Sequence, residues 1–91
     1  MTSNTIDTIT VQVRFFARLR EELGVETEPV DLAAGGTVAD LIGALAAREG
    51  AWRQLRDGRP VMTAVNQIMA RPQQPLRDGD EVALFPPVTG G

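Results

Sequence analysis

One segment of this 91-residue chain has a strong helical pattern, and strand-like segments lie on both sides of it. Five apolar residues recur in it with spacings of three and four, which is the period of one helix face: Val38, Leu41, Ile42, Leu45 and Ala46. The sequence Thr37-Val-Ala-Asp40 just before them matches a capping box. We therefore predict a helix that begins after Thr37 and ends at Gly50. A chain with one good helix has to bury its apolar face against a sheet, which predicts an α+β fold.

The strand signals come before and after this helix. Ile9–Phe16 alternates with period two, so Phe15 falls on the apolar side and Phe16 on the polar side. A second strand contains Val30 and Leu32, and the proline before it places this strand at a sheet edge. Residues 61–66 predict a third strand.

The remaining elements are shorter. The pair Ile68-Met69 predicts a very short strand, and residues 81–85 predict the last one, with Val82 and Leu84 inward. Residues 17–24 form a short helix or a loop with helical turns, and Trp52 and Leu55 indicate another helical turn. The sequence Arg77-Asp78-Gly79-Asp80 is typical of a turn, because glycine tolerates a positive φ.

The order of these elements predicts a topology. The first and last strands have strong apolar faces, so we expect them to pair at the sheet centre, in parallel. Two hairpins that pack on one helix form the β-grasp, or ubiquitin-like, fold, with a mixed sheet of four to five strands on one main helix. We predict a disordered N-terminal tail at residues 1–8, the β-grasp domain at residues 9–86, and a flexible C-terminal Gly-Gly tail at residues 87–91.

Composition excludes several classes of function. The chain has no cysteine and no histidine, which argues against a thiolate nucleophile and the usual metal sites. Its net charge of −3 argues against nucleic-acid and membrane partners. We expect a cytoplasmic protein. All nine basic residues are arginine, so no side chain of this protein can accept an isopeptide bond.

Two phenylalanines fall out of phase with the apolar faces of their strands. Phe16 and Phe85 are both expected to face away from the helix, and Met69 lies on the short strand nearby. Surface aromatics are common, and Phe16 has an alternative place under residues 17–24. An exposed apolar cluster is, however, often an interaction site, since phenylalanine and methionine are enriched in interface cores.

The last seven residues, FPPVTGG, follow this surface directly. Pro86 and Pro87 favour a stiff, extended exit, and Gly90 and Gly91 have no side chains that would obstruct a narrow channel. These properties suit a tip that enters a pocket of another protein. The carboxylate of Gly91 is unreactive until it is activated, for which adenylation by ATP is the general route. The glycine pair alone is a weak signal, and it gains weight from the fold and from the apolar exit surface.

From about Thr10 the chain resembles the small subunit of molybdopterin synthase, the MoaD-type sulfur carrier of the MoaD/ThiS superfamily. The segments that carry the resemblance are VRFFARLRE, TVADL, AVNQ and, above all, PLRDGDEVALFPPVTGG. The resemblance implies that a MoeB-type enzyme adenylates Gly91 with ATP and that Gly91 then becomes a thiocarboxylate.

The resemblance also implies how the sulfur is delivered. The tail, Pro86, Pro87, Val88, Thr89 and Gly90, inserts into a MoaE-type large subunit in a heterotetramer. The sulfur passes to cyclic pyranopterin monophosphate in molybdenum cofactor biosynthesis. The family's partner-binding positions correspond to Phe16, Met69 and Phe85. The chain itself binds no metal and no cofactor, and it is a sulfur-donating co-substrate rather than a catalyst.

Three alternatives stay open from the sequence. A related carrier sends sulfur to thiamine, to cysteine or to tRNA. A ubiquitin-like modifier attaches its glycine to lysines of other proteins. A plain interaction module uses the Phe16 and Phe85 surface and has no need of Gly91.

Overall fold

The structure, a computed structural model, describes residues 7–55 and 61–87. Along these residues the chain forms β1 (Thr8–Phe15), α1 (Ala17–Leu23), β2 (Thr27–Ala33), α2 (Val38–Ala46), a 3-10 helix (Gly50–Leu55), β3 (Met62–Val65), β4 (Ile68–Met69) and β5 (Glu81–Phe85). Every predicted strand is present. The segment left open between helix and loop is the helix α1, which ends at Gly24 with φ of 73°.

The strands form one mixed sheet in the order β2-β1-β5-β3-β4. β1 and β5 pair in parallel at its centre, whereas the β1–β2 and β3–β4 pairs are antiparallel hairpins. The topology is the predicted β-grasp, and β2 lies at the edge where its proline is tolerated. β1 begins at Thr8, the last residue of the predicted tail segment, and the Asp7 carbonyl accepts a hydrogen bond from the Ala34 N–H at 2.9 Å.

The helix α2 begins as predicted and ends earlier than predicted. The Thr37 hydroxyl accepts a hydrogen bond from the Asp40 N–H, and the Asp40 carboxylate accepts one from the Thr37 N–H, which completes the capping box. The helix ends at Ala46, four residues before Gly50. The apolar period stops at Ala46, and Arg48 then pairs with Glu28 of β2, so the prediction of an end at Gly50 was wrong.

The core lies between α2 and one face of the sheet. Val13 and Val82 of the two central strands are fully buried, as are Leu41 and Leu45 of α2. The Phe15 ring meets the Trp52 ring edge-on, with 5.5 Å between their centroids, as expected for an aromatic held under the fold. This arrangement leaves the opposite face of the sheet without a covering layer among the described residues.

Of the helices in the described part of the chain, none is long and apolar enough to cross a membrane.

Candidate functional site

A row of large apolar side chains crosses the sheet face that points away from α2. Phe85 of β5 pairs with Met62 of β3, and both are out of phase with the buried Leu84. Phe16 follows β1 in an extended conformation, and its N–H donates to the Leu84 carbonyl at 3.1 Å. Because Phe15 points into the core, Phe16 points to the outer face. The register therefore aligns Phe16, Phe85 and Met62.

A second row lies beside the first. Met69 of β4 pairs with Ala64 of β3, which pairs in turn with Ala83 of β5. Because the alanine side chains are small, the larger side chains beside them project further from the outer face of the sheet. We call the two rows together the outer apolar patch, and it consists of Phe16, Met62, Ala64, Met69, Ala83 and Phe85. Met69 is 55% exposed, and Phe16 and Met62 are 38% and 37% exposed.

The three residues predicted as partner-binding thus share one face. Phe16, Met69 and Phe85 all belong to the outer apolar patch, and their binding role stays a prediction. Met62 was missed by sequence reasoning. The available signal was its phase in the strand, two residues before Ala64, which assigns it to the same outer face.

One ion pair lies on the outer face beside the patch. The Arg14 guanidinium lies 5.5 Å from the centroid of the Phe16 ring and contacts the Glu81 carboxylate at 2.7 Å. A cation over an aromatic face is attracted by the ring quadrupole. Arg14 is therefore engaged by two groups of its own chain, and it fixes the ring at this end of the patch.

The predicted tail begins where this patch ends. Pro86 and Pro87 follow Phe85 without regular secondary structure and are half-buried. The base of the tail therefore adjoins Phe85 and its partner Met62. Val88, Thr89, Gly90 and Gly91 lie outside the described residues, so their predicted roles remain predictions.

The ionisable groups whose pKa is shifted lie on the other face of the sheet. Arg48 donates to both Glu28 carboxylate oxygens, one of them at 3.0 Å, and its guanidinium lies 4.5 Å from the centroid of the Trp52 ring. This hydrogen bonding lowers the pKa of Glu28 and raises the pKa of Arg48. Glu28 pairs with the inward-facing Val13, so the ion pair joins β2 to the end of α2 and does not touch the outer apolar patch. No group of three or more acidic side chains in residues 7–55 and 61–87 is placed to hold a metal ion.

Known proteins are similar to this chain in both sequence and structure. The model of the ThiS family matches residues 13–91. The molybdopterin synthase sulfur carrier subunit of Escherichia coli is 46% identical over 83 residues, which cover 89% of this chain and 99% of that protein.

Two solved structures extend the comparison. The chain is similar to a complex of subunits 1 and 2 of the molybdopterin-converting factor from Helicobacter pylori, with 28% identity, a TM-score of 0.61 and coverage of 91% of this chain and 100% of the matched chain. It is also similar to small archaeal modifier protein 1 of Haloferax volcanii, with 32% identity, a TM-score of 0.73 and coverage of 88% and 99%. The β-grasp sheet, the tail that begins beside an apolar face and the match through residue 91 agree: the chain belongs to the ThiS family.

Proposed function

We propose that this chain is the sulfur carrier subunit of a molybdopterin synthase and that Gly91 carries the sulfur as a thiocarboxylate. The strongest support is the similarity to the E. coli sulfur carrier subunit, which is 46% identical and is matched over 99% of the E. coli protein's length. The structural observation that carries the proposal is the position of Pro86 and Pro87 at the border of the outer apolar patch. A partner that covers the patch would hold the base of the tail at a fixed point.

The chemistry at Gly91 needs activation from outside this chain. A carboxylate oxygen attacks the α-phosphorus of ATP and releases pyrophosphate, which gives an acyl-adenylate at Gly91. A sulfur nucleophile then displaces AMP and leaves the thiocarboxylate. The thiocarboxylate sulfur then bonds to cyclic pyranopterin monophosphate, and water hydrolyses the resulting thioester, which leaves the sulfur on the product and restores the carboxylate of Gly91. ATP is used by a MoeB-type activating enzyme, and the chain itself binds no cofactor in this scheme. We place the chemistry in the cytoplasm, where ATP is available.

The partner for sulfur transfer is a MoaE-type large subunit. The H. pylori homologue is seen in a complex of subunits 1 and 2 of its converting factor, which supports such an assembly here. Phe16, Met62, Met69 and Phe85 form the docking surface, and residues 86–91 enter the large subunit. The catalytic groups belong to that subunit, so this chain is a co-substrate that the activating enzyme reloads between turnovers.

Intact mass spectrometry tests the proposal. The purified chain is incubated with ATP, the activating enzyme and a sulfide source, and we expect its mass to rise by the difference between one sulfur and one oxygen atom. A variant that lacks Gly91 is the control and should not change in mass. An unchanged mass of the intact chain under conditions that load the E. coli carrier would refute the proposal. Co-purification with the large synthase subunit separates this function from sulfur delivery to thiazole, cysteine or tRNA.

A second candidate function is protein modification, favoured by the similarity to a small archaeal modifier protein. The chain has no lysine, so it builds no chains on its own side chains. In a modifier, Gly91 forms isopeptide bonds with lysines of other proteins. Denaturing gels of cell lysate, probed for this chain, would then show a ladder of heavier adducts that disappears when Gly91 is deleted. A sulfur carrier should give the free chain alone.

A further inference from the structure

A groove beside β4 shares Met69 with the outer apolar patch, and its other lining residues have no role in the proposed sulfur chemistry. Its volume is about 730 Å³, and it lies between the β3–β4 hairpin and the loop that leads to β5. Ile68 and Met69, the two residues of β4, line one side, and both are more than half exposed. Arg71 and Arg77 of the loop line it as well. Since β4 is the last strand of the sheet, its free edge borders this groove.

The backbone of Met69 faces that free edge. The Ala70 N–H donates to the Thr63 carbonyl of β3 at 3.0 Å. In an antiparallel ladder the N–H and C=O groups of successive residues alternate in direction, so those of Met69 point away from β3. Such an edge presents a donor and an acceptor to any extended chain that lies alongside it.

The groove also carries positive charge that the described chain leaves unpaired. Arg71 and Arg77 are exposed, and no acidic side chain in residues 7–55 and 61–87 lies within ion-pair distance of either. The one carboxylate in the lining, Asp80, accepts hydrogen bonds from the Asn66 side chain at 2.9 Å and from the Arg77 N–H at 2.8 Å. Two free guanidinium groups beside a bound carboxylate give the groove a positive surface on a chain whose net charge is −3.

We propose that this groove binds an extended acidic segment of a partner protein, which adds to β4 as a sixth strand. The segment pairs with the Met69 N–H and C=O, as in other complexes formed by strand addition. Alternate side chains of a strand point to the same face, so carboxylates at every second position reach Arg71 and Arg77, and apolar residues between them contact Ile68. The occupant is identified by this alternation of acidic and apolar residues.

A second copy of this chain does not fit the same description. Its own β4 edge is equally basic. Its β2 edge contains Pro29, which has no N–H to donate, and the carboxylates there are engaged by the same chain: Glu28 by Arg48 and Asp31 by the Thr10 hydroxyl. The inference also goes beyond the sulfur carrier function, because nothing in it depends on Gly91.

The first test is a titration of the isotope-labelled chain with a blocked peptide of alternating valine and glutamate, followed by amide NMR. We expect the amide signals of Ile68, Met69 and the non-proline residues between Arg71 and Arg77 to shift. Exchange of the Met69 amide with solvent should slow about tenfold or more at saturation, whereas the Ala70 amide is protected in the free chain as well. A peptide of valine and lysine is the control and should not bind.

Charge variants test the recognition itself. Arg71→Gln and Arg77→Gln should each weaken binding of the glutamate peptide about threefold, and the double variant about tenfold. Arg53→Gln is the matched control, because Arg53 is exposed on the 3-10 helix and does not line the groove. Binding should also weaken as salt is raised.

Five results would overturn the proposal. The first four are equal binding of the lysine peptide, shifts confined to the patch residues of β3 and β5 and to Phe16, glutamate-peptide affinity that neither arginine variant changes, and self-association of the free chain through β4 in sedimentation experiments. Tighter binding of a thymidine oligonucleotide than of the glutamate peptide would assign the groove to nucleic acid and contradict it too. Because these experiments measure peptide binding to the free chain, a negative result in them is distinct from a failure of thiocarboxylate formation at Gly91.

Discussion

Replacing Phe16 with alanine separates partner docking from folding, because the adjacent Phe15 offers a matched control. The two rings have the same chemistry and neighbouring positions, but Phe15 is 1% exposed and packs on Trp52, whereas Phe16 is 38% exposed on the outer face. If the outer apolar patch is the docking surface, Phe16→Ala should weaken binding and Phe15→Ala should weaken the fold.

The magnitude follows from the exposed area of Phe16. A phenylalanine side chain can bury roughly 150–250 Å², so an exposure of 38% leaves about 60–95 Å² for the partner to cover. At about 25 cal/mol per Å², this area contributes about 1.5–2.5 kcal/mol. The dissociation constant for the large synthase subunit should therefore rise roughly 10- to 60-fold. Phe15→Ala should instead lower the free energy of unfolding by about 3–5 kcal/mol.

Two measurements on each variant check this reasoning. Isothermal titration calorimetry with the large synthase subunit gives the affinity, and urea unfolding gives the stability. We expect Phe16→Ala to lose less than about 2 kcal/mol of stability, because its ring is half-buried. An unchanged affinity for Phe16→Ala would remove this ring from the interface. A loss of stability as large as that of Phe15→Ala would mean that Phe16 belongs to the core.

Three further substitutions test the outer face, the β3–β4 turn and the Glu28–Arg48 ion pair. Phe85→Ala should weaken partner binding by about 1–3 kcal/mol without unfolding the chain, and an unfolded variant in circular dichroism would contradict its outward position. Gln67→Gly should raise the free energy of unfolding by about 0.5 kcal/mol in urea titrations. Asn66 and Gln67 both have positive φ, at 50° and 72°, and Asn-Gly is the favoured pair for such a turn. A loss of stability would mean that the Gln67 side chain contributes to the fold. Glu28→Gln should cost about 1 kcal/mol at pH 7, where the bidentate pair with Arg48 is formed. Because the pKa of Glu28 is lowered in the fold, this contribution is present above its unfolded pKa of about 4.3 and is lost as the pH falls through its folded pKa, so the two unfolding curves should converge in acid.

The elements that sequence reasoning predicted are those whose signal is local. The alternation in β1 and the three- and four-residue spacing in α2 both reflect one buried face, and that face is what the fold provides. Gly79 was assigned to a turn from its lack of a side chain, and its φ is 87° in the structure. The pairing of β1 with β5 was predicted from their apolar faces, and its parallel direction from the crossing of the helix layer between the two hairpins, although the paired residues lie 69 positions apart.

The features that were missed depend on contacts distant in sequence. Arg48, just beyond the end of α2, pairs with Glu28, 20 positions earlier, and no local pattern marks that partner. Met62 joins the outer apolar patch because β3 lies beside β5 in a fixed register. The groove arises only because the loop with Arg71 and Arg77 passes beside β4.

The position of β5 would give the proposed carrier a fixed base for its tail. β5 has a neighbour on each side, β1 and β3, so its backbone is held by two ladders. Within its five residues it sends Val82 and Leu84 into the core and Phe85 to the outer face, and Pro86 follows at once. Phe85, the proposed partner contact, is thus one position from Leu84, which cannot move without disrupting the core. A carrier needs a fixed base and a slim tip, and a central last strand provides the base with no catalytic group of its own.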